Sequence, residues 1–320
     1  MNTELIIFEY FTSQNKLNLN SSKIFIEALN LVNSIAKSLV KDANVKKIHL
    51  IGNNKLEGFI KNKKIFYHPL QKINAVFDSL KKSKKQAKMI LIAPETNKIY
   101  INLAKRFRRR ISLLNSDIKT IKMISSKIKT HDFLVKNKIP CIAIEKTNKS
   151  CSSKLLKKPE YGAGSEEIEF VNKIKKKRGF FFQKFYPDEK GSFTMVCKNG
   201  EFIVLSCNKQ CVEENKDSIR QVGLIIGGLE KYRDEIKVLA NLISKSLPGL
   251  FGFIGVDIIR VKKSWKVLEI NARFTSAHVG LQIAYGVGVK KIINGFYTKE
   301  NLIKRTPKLL KKKYTYFDKC

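Results

Sequence analysis

Three observations predict a mixed α/β (α+β) protein. In the first third of the chain, short apolar runs alternate with an amphipathic helical pattern, which is typical of a parallel sheet. Further along, the pair Asn199-Gly200 separates two apolar runs and indicates a β-hairpin. A second pair of apolar runs near the C-terminus flanks a polar turn and predicts another hairpin. With 320 residues, the chain is long enough for two or three small domains.

Residues 1–114 are predicted to form an N-terminal α/β domain. Short β-like runs at Leu5–Tyr10, Lys47–Ile51 and Met89–Ala93 are bounded by polar segments. Between the first two runs, apolar residues recur at helical spacing over Phe25–Leu39, as in an amphipathic helix. Strand, helix and strand in this order favour a parallel sheet.

Two acidic residues of this domain are candidate substrate contacts. Glu9 and Glu95 follow predicted strands, at the positions where open α/β sheets place ligand groups. An ordinary surface role stays open as the alternative for each. The domain has no glycine-rich phosphate loop, so its expected task is substrate binding and scaffolding.

Residues 115–183 are predicted to form a second, smaller unit. It begins with a helix near Ile118–Asn137 and leads to the loop Lys158–Ser165, which contains Gly162 and Gly164. Glycines let backbone N–H groups approach an anion closely, and a lysine supplies a mobile charge for phosphate. The loop matches neither the P-loop nor the dinucleotide-binding pattern, and most loops of this composition are ordinary turns.

Residues 184–320 are predicted to form the third unit. Apolar runs at Phe193–Cys197 and Phe202–Leu205 flank the Asn-Gly turn, and a helix follows near Asp234–Leu247. The C-terminal hairpin comes after that helix, with its turn predicted over the polar residues Arg260–Ser264.

The C-terminal hairpin carries the most informative functional pattern. Strand side chains alternate between faces, so Glu269 and Asn271 point the same way, and Asp257 lies near them on the neighbouring strand. Two carboxylates and an amide oxygen are the hard ligands that Mg²⁺ prefers beside nucleotide phosphates. The alternative is an internal salt bridge from the acids to Arg273, and the hairpin alone does not decide between the two.

Together, three motifs resemble the ATP-grasp superfamily of carboxylate–amine ligases, over roughly residues 115–289. They are a Lys-Pro-x-x-Gly-x-Gly-Ser loop, a strand with Gln-x-x-Tyr, and a hairpin with Asp and Glu-x-Asn-x-Arg. The resemblance implies an ATP-grasp fold, in which an N-terminal pre-ATP-grasp domain precedes two lobes that clasp ATP. It also implies ATP together with Mg²⁺ or Mn²⁺, and two metal ions are expected.

The resemblance assigns roles to five residues near the reaction centre. Asp257, Glu269 and Asn271 would hold the metal ions. Lys158 and Arg273 would offset negative charge during the reaction, Arg273 at the transferred phosphoryl group or the substrate carboxylate. No side chain of the sequence stands out as the general base that would deprotonate an amine, and the candidates are His278 and Glu95.

The same resemblance implies a set of ATP contacts. At the hinge between the lobes, Gln183, Lys184 and Tyr186 would line the adenine pocket. Lys127 departs from the family pattern in the preceding residue, because Ser126 stands where the superfamily often has Asp. The expected ATP contacts are Lys127, Lys158, Gly162, Gly164, Ser165, Gln183, Lys184 and Tyr186.

A narrower resemblance extends along nearly the whole chain, to the tyramine–L-glutamate ligases of methanofuran biosynthesis. It rests on four short segments, which are Ile7–Tyr10, Ile92–Thr96, Leu205–Gln210 and Glu269–Leu281. It implies amide formation between glutamate and tyramine. The expected substrate contacts are Glu9, Glu95, Asn208, Lys209, Gln210 and Ser276. A structural role in the strand is equally favoured for Asn208 and Gln210, and a ligase for another amino acid, amine or peptide pair is the alternative activity.

Net charge supplies a competing hypothesis. The chain has 63 basic and 27 acidic residues, and a net charge of +36 is an argument for polyanion binding. The basic residues are spread over nearly every segment, and the sequence has no zinc-finger spacing and no ribonucleoprotein aromatic signature. A basic nucleic-acid-binding protein on a degenerate ATP-grasp fold is therefore the less favoured alternative.

Composition also indicates the compartment and the partners. No apolar run reaches the roughly 18 residues of a membrane helix, so a cytoplasmic protein without a membrane partner is expected. The six cysteines form no Cys-x-x-Cys pair and are expected to be reduced packing residues. The expected partners are small molecules, an amino-acid carboxylate and an amine, and a homo-oligomer stays open.

Overall fold

The computed structural model describes residues 3–14, 22–53, 56, 61–82, 87–147, 154–162 and 167–316. Three β-sheets and eight α-helices are formed within these ranges. The mixed α/β class that the sequence predicts is confirmed. None of the described helices combines the length and the apolar content that crossing a membrane requires.

The first sheet is parallel and lies in the N-terminal part of the chain. Its strands are β1 (Thr3–Glu9), β2 (Val45–Gly52), β3 (Ile65–Pro69), β4 (Ala87–Ile92) and β5 (Ser112–Leu113). Their spatial order is β3-β2-β1-β4-β5, and every neighbouring pair is parallel. The helices of this part are α1 (Tyr10–Ser13), α2 (Lys23–Leu39), α3 (Ile73–Lys82) and α4 (Ile99–Arg108). The predicted strands β1, β2 and β4 and the helix α2 are confirmed, whereas β3 and β5 have no counterpart among the predicted strands.

The connectivity of this sheet opens a crevice beside its central strand. The chain builds outward from β1 through β2 and β3 on one side, and then through β4 and β5 on the other. The helices that leave the carboxyl ends of β1 and β4 therefore diverge, and open α/β sheets bind ligands at such a point. Glu9 ends β1, and the segment 93–96 follows β4, so both lie at this crevice.

The second sheet is small and antiparallel. Its strands are β6 (Ile144–Glu145), β7 (Leu155–Pro159), β8 (Glu169–Val171) and β9 (Phe180–Lys184), in the order β6-β9-β7-β8. Two helices precede them, α5 (Ile118–Ile124) and α6 (Lys127–Lys136).

The single helix predicted near residues 118–137 is wrong, because the chain leaves the helical conformation at Ser126. This residue has extended backbone angles, with φ −97° and ψ 112°, and its side chain accepts a hydrogen bond from the N–H of Lys129 at 3.2 Å. Serine is favoured at such a cap because its oxygen satisfies an unpaired N–H group of the first turn. The break makes Lys127 the first residue of α6.

The third sheet contains six antiparallel strands. They are β10 (Lys190–Lys198), β11 (Glu201–Glu214), β12 (Ile219–Ile226), β13 (Gly252–Val261), β14 (Ser264–Asn271) and β15 (Lys313–Tyr316). Their order is β14-β13-β10-β11-β12-β15. The helices α7 (Arg233–Ser246) and α8 (Ala277–Lys299) belong to this part. The predicted Asn-Gly hairpin is confirmed as β10 and β11, and both turn residues have positive φ, 51° for Asn199 and 78° for Gly200.

The first and third sheets are held together through α2 and α8. Ser38 of α2 donates a hydrogen bond to Oδ1 of Asn294 in α8 at 2.9 Å, and the Asn294 side-chain N–H group donates to the Ser38 carbonyl at 2.9 Å. One buried apolar cluster includes residues of both sheets, among them Leu5 and Phe253. The crevice of the first sheet therefore faces the third sheet. The domain boundaries after residues 114 and 183 stay a prediction.

The turn of the C-terminal hairpin is tighter than predicted. Strand β13 continues to Val261 and β14 begins at Ser264, which leaves Lys262 and Lys263 as the two turn residues. Both have positive φ, 48° and 64°. Two-residue hairpin loops of this kind favour Asn-Gly, because the left-handed conformation brings Cβ close to a carbonyl oxygen at a cost of about 1 kcal/mol per residue, whereas glycine has no Cβ and asparagine can form a local hydrogen bond.

We expect the double substitution Lys262→Asn with Lys263→Gly to stabilise the protein by about 1 kcal/mol, since it relieves this backbone strain. The measurement is the midpoint of thermal unfolding. Lys175→Asn with Lys176→Gly is the matched control, because it removes the same charges from exposed residues that do not have positive φ. An equal change in both variants would contradict the explanation by turn strain.

Candidate active site

The C-terminal hairpin brings its polar residues together on one face. Asp257 of β13 is paired directly with Glu269 of β14. The side-chain N–H group of Asn271 lies 3.5 Å from Oδ2 of Asp257. On the other side of Asp257, Gln210 of β11 donates a hydrogen bond to Oδ1 at 2.8 Å. Asp257 is thus the centre of a cluster of polar side chains that come from three strands.

The electrostatic state of Asp257 bears on whether a cation fits this face. Burial raises the pKa of Asp257, and the neighbouring Glu269 carboxylate raises it further, whereas Lys127, Arg273 and the Gln210 hydrogen bond lower it. A divalent cation between the two carboxylates would remove their mutual repulsion. The donor set of two carboxylates and one amide therefore fits Mg²⁺ or Mn²⁺.

Arg273 does not form its ion pair with the hairpin acids. Its guanidinium donates two hydrogen bonds to Glu95, from Nε at 2.9 Å and from Nη2 at 2.7 Å. Both side chains are largely buried. Burial lowers the pKa of Arg273, but the Glu95 carboxylate more than offsets this, so that the net shift is upward. The alternative that the sequence leaves open, a salt bridge from Arg273 to the hairpin acids, is therefore wrong. Arg273 pairs instead with Glu95 at the crevice of the first sheet.

Lys127 supplies a positive charge to the hairpin face. Its Nζ lies 3.3 Å from Oε2 of Glu269 and donates to the carbonyl oxygen of Gly162 at 2.7 Å. The backbone N–H of Lys127 donates to the carbonyl of Glu160 at 3.0 Å, and the Ser126 hydroxyl donates to the Glu160 carboxylate at 2.5 Å. The start of α6 thus holds the beginning of the glycine loop beside the two carboxylates.

Lys158 is part of strand β7 in the small sheet and lies near the same charged side chains. Its Nζ donates to Oε1 of Gln183 at 3.0 Å. The pKa of Lys158 is lowered to about 8, mainly by burial and also by Lys127, while Glu269 and Asp257 act in the opposite direction. Two ammonium groups held together in this way form a site for a polyanion, because an anion would relieve their repulsion.

The residues predicted to line the adenine pocket lie at the end of β9 in the small sheet and just after it, where Tyr186 meets the C-terminal hairpin. Gln183 is buried and donates to the carbonyl of Ile142 at 3.0 Å. Tyr186 packs against an apolar cluster of Ile142, Ile259 and Val261. The side chain of Lys184 is exposed, and its ammonium lies 5.8 Å from the centre of the Tyr186 ring. The predicted ATP contacts Gly164 and Ser165 lie outside the described residues.

A cavity of about 420 Å³ connects the hairpin face with the crevice of the first sheet. At one end its wall includes Asp257 and Glu269, together with Lys127. At the other end it includes Glu9 of β1 and Glu27 of α2. Apolar side chains form much of the remaining wall, including Phe11, Ile24, Leu31, Ile92, Pro94 and Leu224. The cavity is large enough for a small organic substrate.

Glu9 and Ser276 are the predicted substrate contacts at the crevice end. Glu9 caps α1, since its carboxylate accepts hydrogen bonds from the N–H groups of Phe11 at 3.1 Å and Thr12 at 2.7 Å. Burial raises the pKa of Glu9 to about 7, against the effect of these hydrogen bonds and of Arg273. Ser276 lies just before α8 and lines the cavity.

The three candidates on β11 separate into different environments. Gln210 lines the cavity beside Asp257. Asn208 is fully buried, and its Oδ1 accepts a hydrogen bond from the N–H of Gly227 at 3.2 Å. Lys209 is exposed. Of these three, the structure brings Gln210 alone to the wall of the cavity.

Two residues of the site have no counterpart in the sequence analysis. Glu160 holds the glycine loop through Ser126, and nothing in its local sequence distinguishes it from a surface acid. Glu27 lines the cavity from α2, and its one signal is that it is the sole acid of that helix. Glu27 lies in the second turn of α2. The apolar pattern of this helix predicts which residues pack against the sheet and gives no information about its polar side chains.

Comparison with known proteins gives a family match for part of the chain. Residues 124–277 match the family model described as an ATP-grasp domain. No curated protein matches the chain.

Solved structures share the fold at low sequence identity. An ATP-grasp superfamily protein from Archaeoglobus fulgidus superposes with a TM-score of 0.75 at 19% identity, over 95% of this chain and 90% of that one. N5-carboxyaminoimidazole synthetase from Staphylococcus aureus gives a TM-score of 0.67 at 12% identity, over 97% and 81% of the two chains. L-amino acid ligase from Bacillus licheniformis gives 0.59 at 16% identity, over 93% and 74%.

These likenesses confirm the fold that the motifs imply. The matched family segment contains Lys127, Lys158 and the C-terminal hairpin, which the structure brings together. Residues 124–277 therefore match an ATP-grasp domain, and the chain has the fold of ATP-grasp proteins.

Proposed function

We propose that the protein is a carboxylate–amine ligase that uses ATP to form an amide through an acyl phosphate. The observation that carries this proposal is that Lys127 and two carboxylates line one end of a cavity shared with the N-terminal sheet, and that the charge of Lys158 interacts with all three. Such an end suits the terminal phosphates of ATP, and the rest of the cavity is open to two small substrates.

The nucleotide would lie between the small sheet and the hairpin. Lys127 and Lys158 would contact its phosphates as mobile point charges. The adenine ring would occupy the apolar cluster around Tyr186, Ile142 and Ile259. Asp257, Glu269 and Asn271 would hold Mg²⁺ or Mn²⁺, and the bound cations supply charge neutralisation at the phosphates.

A carboxylate must be activated before an amine can displace one of its oxygens. Transfer of the γ-phosphoryl group of ATP to the carboxylate oxygen breaks the bond between the β- and γ-phosphates and leaves ADP. Lys158 and Arg273 would stabilise the charge that spreads over the transferred group. Gly162 begins the loop that would cover the site, and exclusion of water would protect the acyl phosphate from hydrolysis.

We propose L-glutamate as the acid and tyramine as the amine, in the synthesis of a methanofuran-type cofactor. Support comes from the four sequence segments that resemble tyramine–L-glutamate ligases, because three of them, those around Glu9, Glu95 and Ser276, lie at the crevice end of the cavity. The apolar wall of the cavity offers contacts for an aromatic ring. An L-amino acid ligase among the structural neighbours is in keeping with an amino acid as one substrate.

The test is ADP release from MgATP with L-glutamate, measured with and without tyramine, together with the mass of the product. We expect ADP production that depends on tyramine, and a product whose mass is the sum of the two substrates less one water. Equal turnover with unrelated amines would refute the tyramine assignment and keep the ligase class. Absence of ADP with every amino acid and amine tried would refute the ligase itself.

A further inference from the structure

Three carboxylates surround Arg273 at the crevice end of the cavity. Glu95 binds its guanidinium directly, and the positive charge of Arg273 also lowers the pKa values of Glu9 and Glu27. The three acids come from the end of β1, from α2 and from the segment after β4. The guanidinium of Arg273 therefore interacts with three acids at the crevice end, in addition to Glu269 and Asp257 of the hairpin.

Two of these carboxylates already use both of their oxygens. In Glu95, Oε1 and Oε2 each accept a hydrogen bond from Arg273, at 2.9 and 2.7 Å. In Glu9, Oε1 accepts from the N–H of Phe11 and Oε2 from the N–H of Thr12. Their geometry commits Glu95 to positioning Arg273 and Glu9 to capping α1.

Glu27 differs from both in its partners. Within the described part of the chain, its carboxylate forms no ion pair, and the nearby Ser276 hydroxyl lowers its pKa. Its side chain lies on the cavity wall and is half-buried. Burial raises the pKa of Glu27, and this effect exceeds those of Ser276 and Arg273, which lower it. The carboxylate thus retains lone pairs that can receive a cation from the cavity.

The proposed reaction needs a group that binds the amine substrate and accepts a proton from it, and no residue has yet been assigned to this role. An amine enters as an ammonium ion at neutral pH, and it must lose a proton before its nitrogen can attack. His278 cannot fill the role, because it is buried against Phe253 and Phe274, is hydrogen-bonded to Ser34, and burial lowers its pKa to about 3. Glu95 is also excluded by its pairing with Arg273.

Building on the proposed ligase function, we propose that Glu27 binds the ammonium group of the amine substrate and accepts the proton that this group loses before attack. The freed nitrogen then forms a bond to the carbonyl carbon of the acyl phosphate, and the bond from that carbon to the phosphate oxygen breaks with its electron pair. Of the three ammonium protons, one stays in the amide, one passes to Glu27, and one leaves with the phosphate as hydrogen phosphate.

The charges around Glu27 suit both parts of this role. The charge of Arg273 favours the charged form of Glu27, while its guanidinium donates two hydrogen bonds to Glu95. Ser276, at the start of α8, lines the same cavity as Glu27. The Glu27 carboxylate would therefore select a cationic nucleophile over a neutral or anionic one at the end of the cavity.

The test separates the amine step from the activation of the acid. Glu27→Gln is assayed with MgATP and L-glutamate, once with tyramine as the nucleophile and once with hydroxylamine. Hydroxylamine is largely uncharged at neutral pH and reacts with acyl phosphates without help from a base. We expect amide formation to fall about 100-fold or more, the usual contribution of a positioned general base. Hydroxamate formation should stay within about 3-fold of the original protein.

Two further variants make the result specific. Glu201→Gln is the matched control, since its side chain is exposed on β11 and bonds to Lys304, and it should leave both rates unchanged. Glu9→Gln tests the neighbouring acid. If Glu27→Gln keeps its rate of amide formation, or if Glu9→Gln alone loses it, the assignment to Glu27 is wrong.

The remaining outcomes concern the activation step. Loss of both products in Glu27→Gln would mean that Glu27 acts on the acid or on ATP, and would overturn its role toward the amine. Absence of hydroxamate from the unaltered protein would instead overturn the ligase proposal on which this inference rests. Retained hydroxamate formation in the variant also shows that it is folded.

Discussion

Glu269→Gln is expected to abolish amide formation, with a fall in the rate of ADP release of about 1000-fold or more. The substitution keeps the size of the side chain and removes the charge that would face a metal ion, Lys127 and the phosphates of ATP. Stabilisation of this kind is worth several kcal/mol in a site that excludes water, and each 1.36 kcal/mol changes a rate about tenfold. The measurement is the initial rate of ADP release with MgATP, L-glutamate and tyramine.

The control for this variant is Glu235→Gln, which makes the same change on an exposed side chain of α7. A second readout is the binding of Mn²⁺ in the presence of an ATP analogue that is not hydrolysed, followed by electron paramagnetic resonance. Binding should be weakened in Glu269→Gln and unchanged in Glu235→Gln. A Glu269→Gln protein that turns over at the original rate would disprove the role of the hairpin as the metal face.

The hairpin is the part of the candidate site that could best be predicted from the sequence, because its geometry depends on residues that are close together in the chain. Alternation along a strand determines which side chains share a face, and a short turn determines which residues of two strands are opposite each other. Asp257 and Glu269 follow from these two rules. The rules do not specify the turn itself, where Lys262 and Lys263 replace the expected glycine or asparagine and make the loop look longer than it is.

The start of α6 shows how a single hydrogen bond decides a boundary. The sequence analysis treats residues 118–137 as one helix. The hydroxyl of Ser126 competes with that helix by accepting the N–H of Lys129, and the backbone turns there. Because of the break, Lys127 begins a helix beside Glu269 and Gly162. The residue that departs from the family pattern thus also places the neighbouring lysine.

Contacts between distant segments could not be predicted from local patterns. Glu95 and Arg273 are 178 residues apart, and each is surrounded by sequence that fits a surface position equally well. Asn208 and Gln210 share a face of β11 by alternation, yet Asn208 is fully buried at the N–H of Gly227 while Gln210 reaches the cavity. The segments that pack over a sheet determine which of two side chains on the same face reaches a cavity, and strand alternation alone does not predict this.

The pairing of Glu95 with Arg273 connects the N-terminal sheet with the segment that follows the C-terminal hairpin. The Tyr100 hydroxyl donates to the carbonyl of Ala272 at 2.7 Å, and the side-chain N–H group of Asn115 donates to the Tyr100 oxygen at 3.1 Å. The backbone between Asn271 and Arg273 is therefore fixed from the first sheet. The N-terminal part of the chain contributes to the active site by positioning this segment as well as by lining the cavity.

Arg273→Met is accordingly expected to lower the free energy of unfolding by about 3–5 kcal/mol, in addition to abolishing activity. The substitution leaves the Glu95 carboxylate buried, with an exposed side-chain fraction of 5%, and without its two charged hydrogen bonds. Removing one partner of a buried ion pair costs this much because the remaining charge has lost both water and its counterion. The measurement is the shift of the thermal unfolding midpoint, supported by denaturant titration.

The double variant Arg273→Met with Glu95→Gln distinguishes an unpaired charge from lost packing. Glutamine keeps the shape of Glu95 and needs no counterion, so the double variant should regain about 2 kcal/mol or more relative to Arg273→Met alone. Activity should stay absent in both, because neither has the guanidinium that would stabilise the transferred phosphoryl group. If Glu95→Gln lowers stability further instead of restoring it, the loss arises from packing around Arg273. Recovery of stability without recovery of activity would separate the structural role of the pair from the chemical role of Arg273.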